Sequence, residues 1–322
     1  MKEKEIVNLL CIVAKLDEHE NFKDNLFDFA RSVLEKSSVP IALSVITDER
    51  SRTLAKEIID DAQGVKRFHE VVYFDVSAIV EKLKRIVSIM SPHFSSKRGT
   101  YYSDPLFYLS LGLHHIFRPD LHKVLMADVD MKFVGDIAEL WAEFYKFNSK
   151  AILGIAPELA PTYMHAFHSY RTSNPDTKIG EPFIEDGYPG FNSGILLLNL
   201  DRMRQSKILA KFIGEDITGN PEDTEEIKEL EEEVNGRVTS VGNLVKKYSF
   251  VSNFGDQDFY TLLGVEYPEL LHVIPCNWNQ QLCIGWGEQE AYIDVFDRYF
   301  RCDGEVKVYH GNCNSPIPFL NE

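Results

Sequence analysis

Apolar positions along the chain follow two alternating rhythms. IVNLLCIVA (6–14), IALSVI (41–46) and VVYFD (71–75) are short, nearly continuous apolar runs rich in Val and Ile, the pattern of strands buried on both faces. Between them, NFKDNLFDFARSVLEK and ERSRTLAKEIIDDAQG space apolar residues three and four apart, and Gly64 reads as the stop of the second helix. The order βαβαβ predicts a parallel sheet with helices on its faces and ligand sites at the carboxyl ends of its strands. A helix-like DPLFYLSLGLHHIF (104–117) follows, and then KVLMADVDMKF (123–133), an apolar strand that runs straight into acidic residues. IAELWAEFYKF (137–147) has helical spacing, while AILGIA (151–156) and GFNSGILLLNL (190–200) read as strands. The Pro- and Gly-bearing stretch 165–190 reads as an ordered loop or lid, and the acidic run EDTEEIKELEEEV within 214–236 as a solvated surface helix. No repeat or linker divides the chain. The expectation is a single α/β domain with a Rossmann-like, mixed but mainly parallel sheet and flanking helices.

Composition narrows the function. The 322 residues are 44% hydrophobic and 26% charged, within the range of ordinary globular chains. Acidic residues outnumber basic ones 50 to 34, for a formal charge of −16, which argues against nucleic acid as a partner. The longest apolar run, about Ile6 to Ala14, is half the length a membrane-crossing helix needs, and the first residues carry no secretory signal. Cys11 lies in the first predicted strand, whereas Cys276, Cys283, Cys302 and Cys313 crowd into the C-terminal tail. Their spacings hold no Cys-x-x-Cys knuckle, so two disulfides are expected rather than zinc, in one of three connectivities. That pattern favours an oxidising compartment.

Three constellations carry chemistry. In Asp128-Val129-Asp130, alternate residues of an extended segment put both carboxylates on one side, where hard oxygen ligands suit Mn²⁺ or Mg²⁺ on the phosphates of a nucleotide. Asp136, just before Ile137, is better placed than either to cap the following helix. Gly255-Asp256-Gln257-Asp258 opens an apolar helix, with Asp256 either its N-cap or a catalytic carboxylate. The segment VKVYHGN ends a predicted strand in His310 and Gly311, and His310 offers a third metal ligand that suits Mn²⁺ better than Mg²⁺.

ADVDMKFVGDIAELW, PGFNSGILLLNL, GDQDFY, CNWNQQLC and VYHGNCNSPIP, in this order, resemble the retaining family 8 glycosyltransferases of the GT-A fold over about residues 5–318. The resemblance implies a catalytic domain over 1–322, with a nucleotide-binding half (1–133) and an acceptor-binding half (134–322). It implies Mn²⁺, with Mg²⁺ as substitute, held by Asp128, Asp130 and His310. Asp128 would also contact the nucleotide, and Gly311 would let backbone approach the phosphates. Asn192 and Ser193 would bind the donor sugar, with Gly190 and Gly194 giving room, although Gly194 alone reads as ordinary buried strand. His165 matches a family position close to donor and acceptor, while His168 stands where an aromatic is expected. Trp278, Asn279 and Gln280 suit an acceptor platform by residue type, an indole to stack on a sugar and amides to pair with hydroxyls, with ordinary core burial the alternative for Trp278.

Gln257 occupies the place of a nucleophile but carries an amide. This favours a front-face displacement over a covalent intermediate, with Asp256 as the runner-up nucleophile. The longer phrases are similar to those of xylose-transferring members. They imply UDP-xylose as donor, a xylosyl-glucose glycan on EGF-like repeats of the Notch type as acceptor, and a place in the endoplasmic reticulum lumen reached through a membrane anchor outside this sequence. UDP-glucose or UDP-galactose is the rival donor, and an inactive glycan-binding module the rival of another class. The expected disulfide pairing is Cys276 with Cys302 and Cys283 with Cys313.

Overall fold

The computed structural model describes residues 5–16, 18, 20–96, 103–215, 228 and 231–318. The strands are β1 (Val7–Val13), β2 (Ile41–Thr47), β3 (Glu70–Asp75), β4 (Lys123–Ala127), β5 (Met131–Phe133), β6 (Leu153–Pro157), β7 (Phe191–Asn199), β8 (Leu271–Val273), β9 (Gln280–Gln281) and β10 (Val308–His310). Seven form one sheet in the order β3-β2-β1-β4-β7-β6-β8, and three form a small sheet, β5-β10-β9. In the large sheet β7 alone runs antiparallel to its neighbours β4 and β6. The remaining pairings are parallel. The sheet is therefore mixed and mainly parallel, as the alternation of strands and helices leads one to expect.

Alternation along β1 shows how the core is divided. Leu10 faces one apolar cluster with Met90, Tyr108 and Leu196, while Val7, Leu9, Cys11 and Val13 face a second with Phe29, Leu125 and Ile195. Both clusters draw residues from each half of the chain. The helices α1 (Glu20–Lys36) and α2 (Glu49–Ala62) fall where the three-and-four spacing puts them. Asp48 caps α2, accepting from the Ser51 N–H at 2.9 Å. The helix ends at Ala62 with Gln63 already extended, so Gly64 lies one residue beyond the cap rather than forming it.

Three stretches depart from the pattern. Helices α3 (Val76–Lys82) and α4 (Lys84–Phe94) fill a region for which the spacing gave no assignment. The segment read as a helix over 104–117 is mostly 3₁₀ (Pro105–Gly112), followed by one α-turn (Leu113–Ile116). Tyr108 through Leu113 are all buried, so no amphipathic face guides that reading. The 165–190 stretch, read as an ordered loop or lid, carries short helices at Thr162–Ala166 and His168–Ser173 and an Ile179–Tyr188 bridge. Most of the acidic run lies outside the described residues; Glu231–Val234 are helical. Among the described residues no helix is long and apolar enough to cross a membrane.

Candidate active site

The segment read as one strand over 123–133 is two. β4 ends at Ala127 in the large sheet, β5 begins at Met131 in the small one, and Asp128-Val129-Asp130 forms the corner between them. Val129 turns into the core, which leaves both aspartates pointing outward. Asp136 caps the next helix, accepting from the Ala138 N–H at 3.0 Å, so neither aspartate of the pair is needed there. β10 returns antiparallel to β5 with His310 opposite Met131, and the Gly311 N–H donates to the Asp130 carbonyl at 2.7 Å. His310 Nε2 thereby comes within 3.4 Å of Asp130 Oδ1 and 3.8 Å of Asp128 Oδ2. One ligand atom from each of the three side chains lies within 4.8 Å of the other two.

Two glycines permit this approach. A Cβ on Gly194 would stand 2.5 Å from His310 Cε1 and 2.7 Å from Met131 Cε, so the glycine is spatially required rather than ordinary strand. A Cβ on Gly311 would stand 2.9 Å from the Ser315 carbonyl oxygen.

The imidazole is held from behind. Asn192 Oδ1 accepts from Asn279 Nδ2 at 2.9 Å and from the Gly194 N–H at 3.1 Å, which fixes the Asn279 amide with its oxygen toward the ring. His310 Nδ1 therefore donates to Asn279 Oδ1 at 2.9 Å, and in the neutral ring Nε2 keeps its lone pair for the carboxylate side. Burial of the carboxyl and the Asp130 charge push Asp128 up to about 7, with His310 opposing. Half of its side chain (53%) is open to water, which screens that effect. Burial draws Asp130 upward too, but the facing His310 outweighs it and holds Asp130 below the ordinary carboxylate range. The same carboxylates, against burial, hold His310 above the ordinary imidazole value. A cluster that retains protons in this way lacks countercharge, and a divalent cation would displace them. Two carboxylates and an imidazole with a fixed tautomer fit a manganese-type ion.

Behind the corner lies a second set of carboxylates. Gly255 (φ 68°), not Asp256, caps the helix Asp256–Glu266, and Asp256 is its first residue. Its carboxylate is 7% exposed and accepts from the hydroxyls of Ser110 and Ser193, the latter at 3.2 Å. Burial pushes Asp256 up to about 6 and Asp258 up to about 7. Gln257 Oε1 accepts from the Ser193 N–H at 3.1 Å, and its Nε2 donates to the Tyr163 hydroxyl at 3.1 Å and to Glu158 Oε2 at 3.4 Å. Glu158 Oε2 also accepts from Asn192 Nδ2 at 3.2 Å, and burial pushes its carboxyl up to about 7. Sequence reasoning missed Glu158. The signal was present, since β6, like β4, is an apolar strand that runs into an acidic residue. A register shift between Ile155 and Ala156 bends the end of β6 just before it.

The structure thus brings together Asp128, Asp130, His310, Asn192, Ser193, Asp256, Gln257, Asn279 and Gly311. Asn192 is turned into the protein, with one Nδ2 hydrogen left for a ligand. Asn279 is fully buried and positions His310, so the expected acceptor contact gives way to a supporting one. Trp278, expected as a stacking platform, is 5% exposed and packs in the core with Ile274 and Val308, which leaves no ring face for a sugar. Gln280 lies half-buried in β9, its Nε2 donating to the Gln281 carbonyl at 3.3 Å. His165 is exposed, with Nδ1 2.6 Å from the Tyr292 hydroxyl and its ring 5.9 Å from that of the half-buried Trp286, an indole the sequence reading passed over. His168 is exposed as well. The disulfides Cys276–Cys302 and Cys283–Cys313 form as expected, and Cys11 is a buried free thiol. The second bond anchors the loop after His310, where Asn312 Oδ1 accepts from the N–H groups of Leu282 and Cys283.

The family profile described as glycosyl transferase family 8 matches residues 11–229. Xyloside xylosyltransferase 1 of Homo sapiens is 42% identical over 280 residues, covering 86% of this chain and 64% of that protein. The chain thus spans just under two thirds of the length of the human and mouse xyloside xylosyltransferase 1. The crystal structure of mouse xyloside xylosyltransferase 1 in its apo form is similar over 98% of this chain and 100% of that one, with a TM-score of 0.83 at 37% identity. The galactosyltransferase LgtC, solved with donor and acceptor sugar analogues, shares the fold alone, with a TM-score of 0.53 at 17% identity over 94% of this chain and 86% of that one. The chain has the GT-A fold and belongs to glycosyl transferase family 8.

Proposed function

We propose that this chain is a retaining xylosyltransferase that moves xylose from UDP-xylose to the xylose of a xylosyl-glucose glycan O-linked to EGF-like repeats of the Notch type, forming an α-1,3 linkage. The observation that carries this reading is the convergence of Asp128, Asp130 and a tautomer-fixed His310 at the end of β4, in a chain 42% identical to a xyloside xylosyltransferase. Asp128, Asp130 and His310 would hold Mn²⁺, or Mg²⁺ in its place, which supplies the positive charge that a departing diphosphate needs. Asp128 also contacts the nucleotide, Gly311 brings backbone to the phosphates, and Asn192 and Ser193 meet the donor sugar. Gln257, its amide oriented by Ser193, Tyr163 and Glu158, stabilises the positively charged sugar and orients the acceptor.

The acceptor hydroxyl attacks on the face the diphosphate leaves, and its proton passes to a departing phosphate oxygen. No protein carboxylate then has to attack. The burial of Asp256 and its two hydroxyl partners support that route over a covalent intermediate on this residue. His165 and Gln280 are the acceptor-side residues. The two disulfides fit an oxidising lumen, and we place the protein in the endoplasmic reticulum.

A donor screen tests the reading. UDP-xylose, UDP-glucose and UDP-galactose are offered with a xylosyl-glucose acceptor, with and without Mn²⁺. Xylose transfer that requires the metal is expected. Preference for another donor replaces xylose in the proposal, and glycan binding without turnover with any donor would overturn it in favour of a binding module.

A further inference from the structure

Among the described residues, a second group of metal-ligating side chains lies apart from the first. His114 and His115 sit on the short helix Leu113–Ile116, and Glu215 follows the helix Lys207–Phe212, its N–H donating to the Ala210 carbonyl at 2.8 Å. One ligand atom from each of the three lies within 4.8 Å of the other two. The two rings stand 3.8 Å apart, and His115 Nε2 contacts a Glu215 carboxylate oxygen. His114 is 3% exposed, and its buried Nδ1 has no hydrogen-bond partner. A buried ring nitrogen without a partner is an exception in folded proteins. A surface contact between His115 and Glu215 beside a core histidine leaves that nitrogen unexplained.

We propose that His114, His115 and Glu215 form a second metal site, for a zinc-class divalent ion, separate from the Asp128, Asp130 and His310 cluster. Two imidazoles and one carboxylate match the ligand set that Zn²⁺ takes with a water in the fourth position, whereas Mn²⁺ and Mg²⁺ favour sites richer in oxygen. Charge nearby is mixed. Arg204 donates from Nε to the His114 carbonyl at 3.1 Å, but its guanidinium is already paired with Asp201 at 3.0 Å. A bound ion would pin the end of the Lys207–Phe212 helix to the Leu113–Ile116 turn. The role is that of a structural clip and takes no part in transfer.

The test is zinc stoichiometry on untagged protein, by dialysis with elemental analysis and by calorimetry. The wild type is expected to bind two equivalents. Asp130→Asn, which disables the first cluster, should bind one, and Asp130→Asn with His115→Ala and Glu215→Gln should bind none. Co²⁺ should give visible ligand-field absorption in Asp130→Asn that the triple variant lacks, and Zn²⁺ should raise the melting temperature of the first and not of the second. His115 and Glu215 are 38% and 37% exposed, so their replacement spares the core. Should the triple variant fail to fold, Glu215→Gln on Asp130→Asn alone is expected to weaken zinc binding about tenfold or more. Asp130→Asn protein that binds no zinc, or binds it unchanged when His115 and Glu215 are replaced, would overturn the proposal.

Discussion

The active-site region holds two sets of carboxylates at strand and helix ends, and they are built in opposite ways. Asp128 and Asp130 stand at an open corner, 53% and 29% exposed, facing each other with His310 as the near partner. Glu158, Asp256 and Asp258 lie behind them, nearly sealed from solvent, and each accepts hydrogen bonds from serine or tyrosine hydroxyls, side-chain amides or a backbone N–H. A carboxylate kept open, with an imidazole as its near partner, is free to take a ligand. One that is buried and supplied with donors is committed to architecture, here the placing of Gln257, Ser193 and Asn192. Asp128 of the open set shares its raised pKa with all three buried carboxylates, so titration alone would not separate it from them; the hydrogen-bond inventory does.

The largest expected effect falls on the open set. Asp130→Asn removes a charged metal ligand and should lower transfer by about 10³-fold or more while the melting temperature stays near that of the wild type. Steady-state rates with differential scanning calorimetry measure both. Gln257→Ala should cost about 10²–10³ in rate and keep measurable activity, because the amide positions and stabilises rather than bonds. Loss to the uncatalysed level, or a stable xylosyl mass on residue 256 or 257 by intact-protein mass spectrometry, would contradict the front-face route.

Asn279→Ala frees the His310 ring, so it should raise the metal concentration for half-maximal rate about 10–100-fold and leave the rate at saturating metal near normal. The smallest effect belongs to the buried set. An acid whose pKa is raised by folding binds more protons folded than unfolded, so the protein loses stability as pH rises from the ordinary value toward the raised one. For Glu158 that window runs from 4.5 to about 7. Glu158→Gln should therefore flatten the fall in melting temperature across this range, as measured by thermal unfolding in a pH series.

The pattern of apolar residues placed β1 to β4, β6, β7, α1 and α2; β3, read as buried on both faces, is an edge strand with no fully buried residue, and its Val, Tyr and Phe content rather than burial marked it. The pattern could not separate 3₁₀ from α over Pro105–Gly112, where Tyr108 to Gly112 are all buried, nor find β8 and β9, which are too short to show a period. The convergence of Asp128, Asp130 and His310, a candidate metal cluster, was readable where strands ended in acid or imidazole, and Gln257 through the family phrases. Glu158 carried the same strand-end signal as Asp128 and was missed for want of a second acidic residue beside it. Trp278 and Asn279 were assigned to the acceptor by residue type. An indole or an amide does not tell from sequence whether it faces a cleft or a core, and here both face inward.

Calorimetric titration of UDP into wild type, Asp130→Asn and Asp258→Asn, each with and without Mn²⁺, compares the two sets directly. The account predicts that Mn²⁺ strengthens UDP binding in wild type and in Asp258→Asn but not in Asp130→Asn. Unchanged Mn²⁺ dependence in Asp130→Asn, or its loss in a folded Asp258→Asn, would contradict the division between an open ligand-binding set and a buried architectural one.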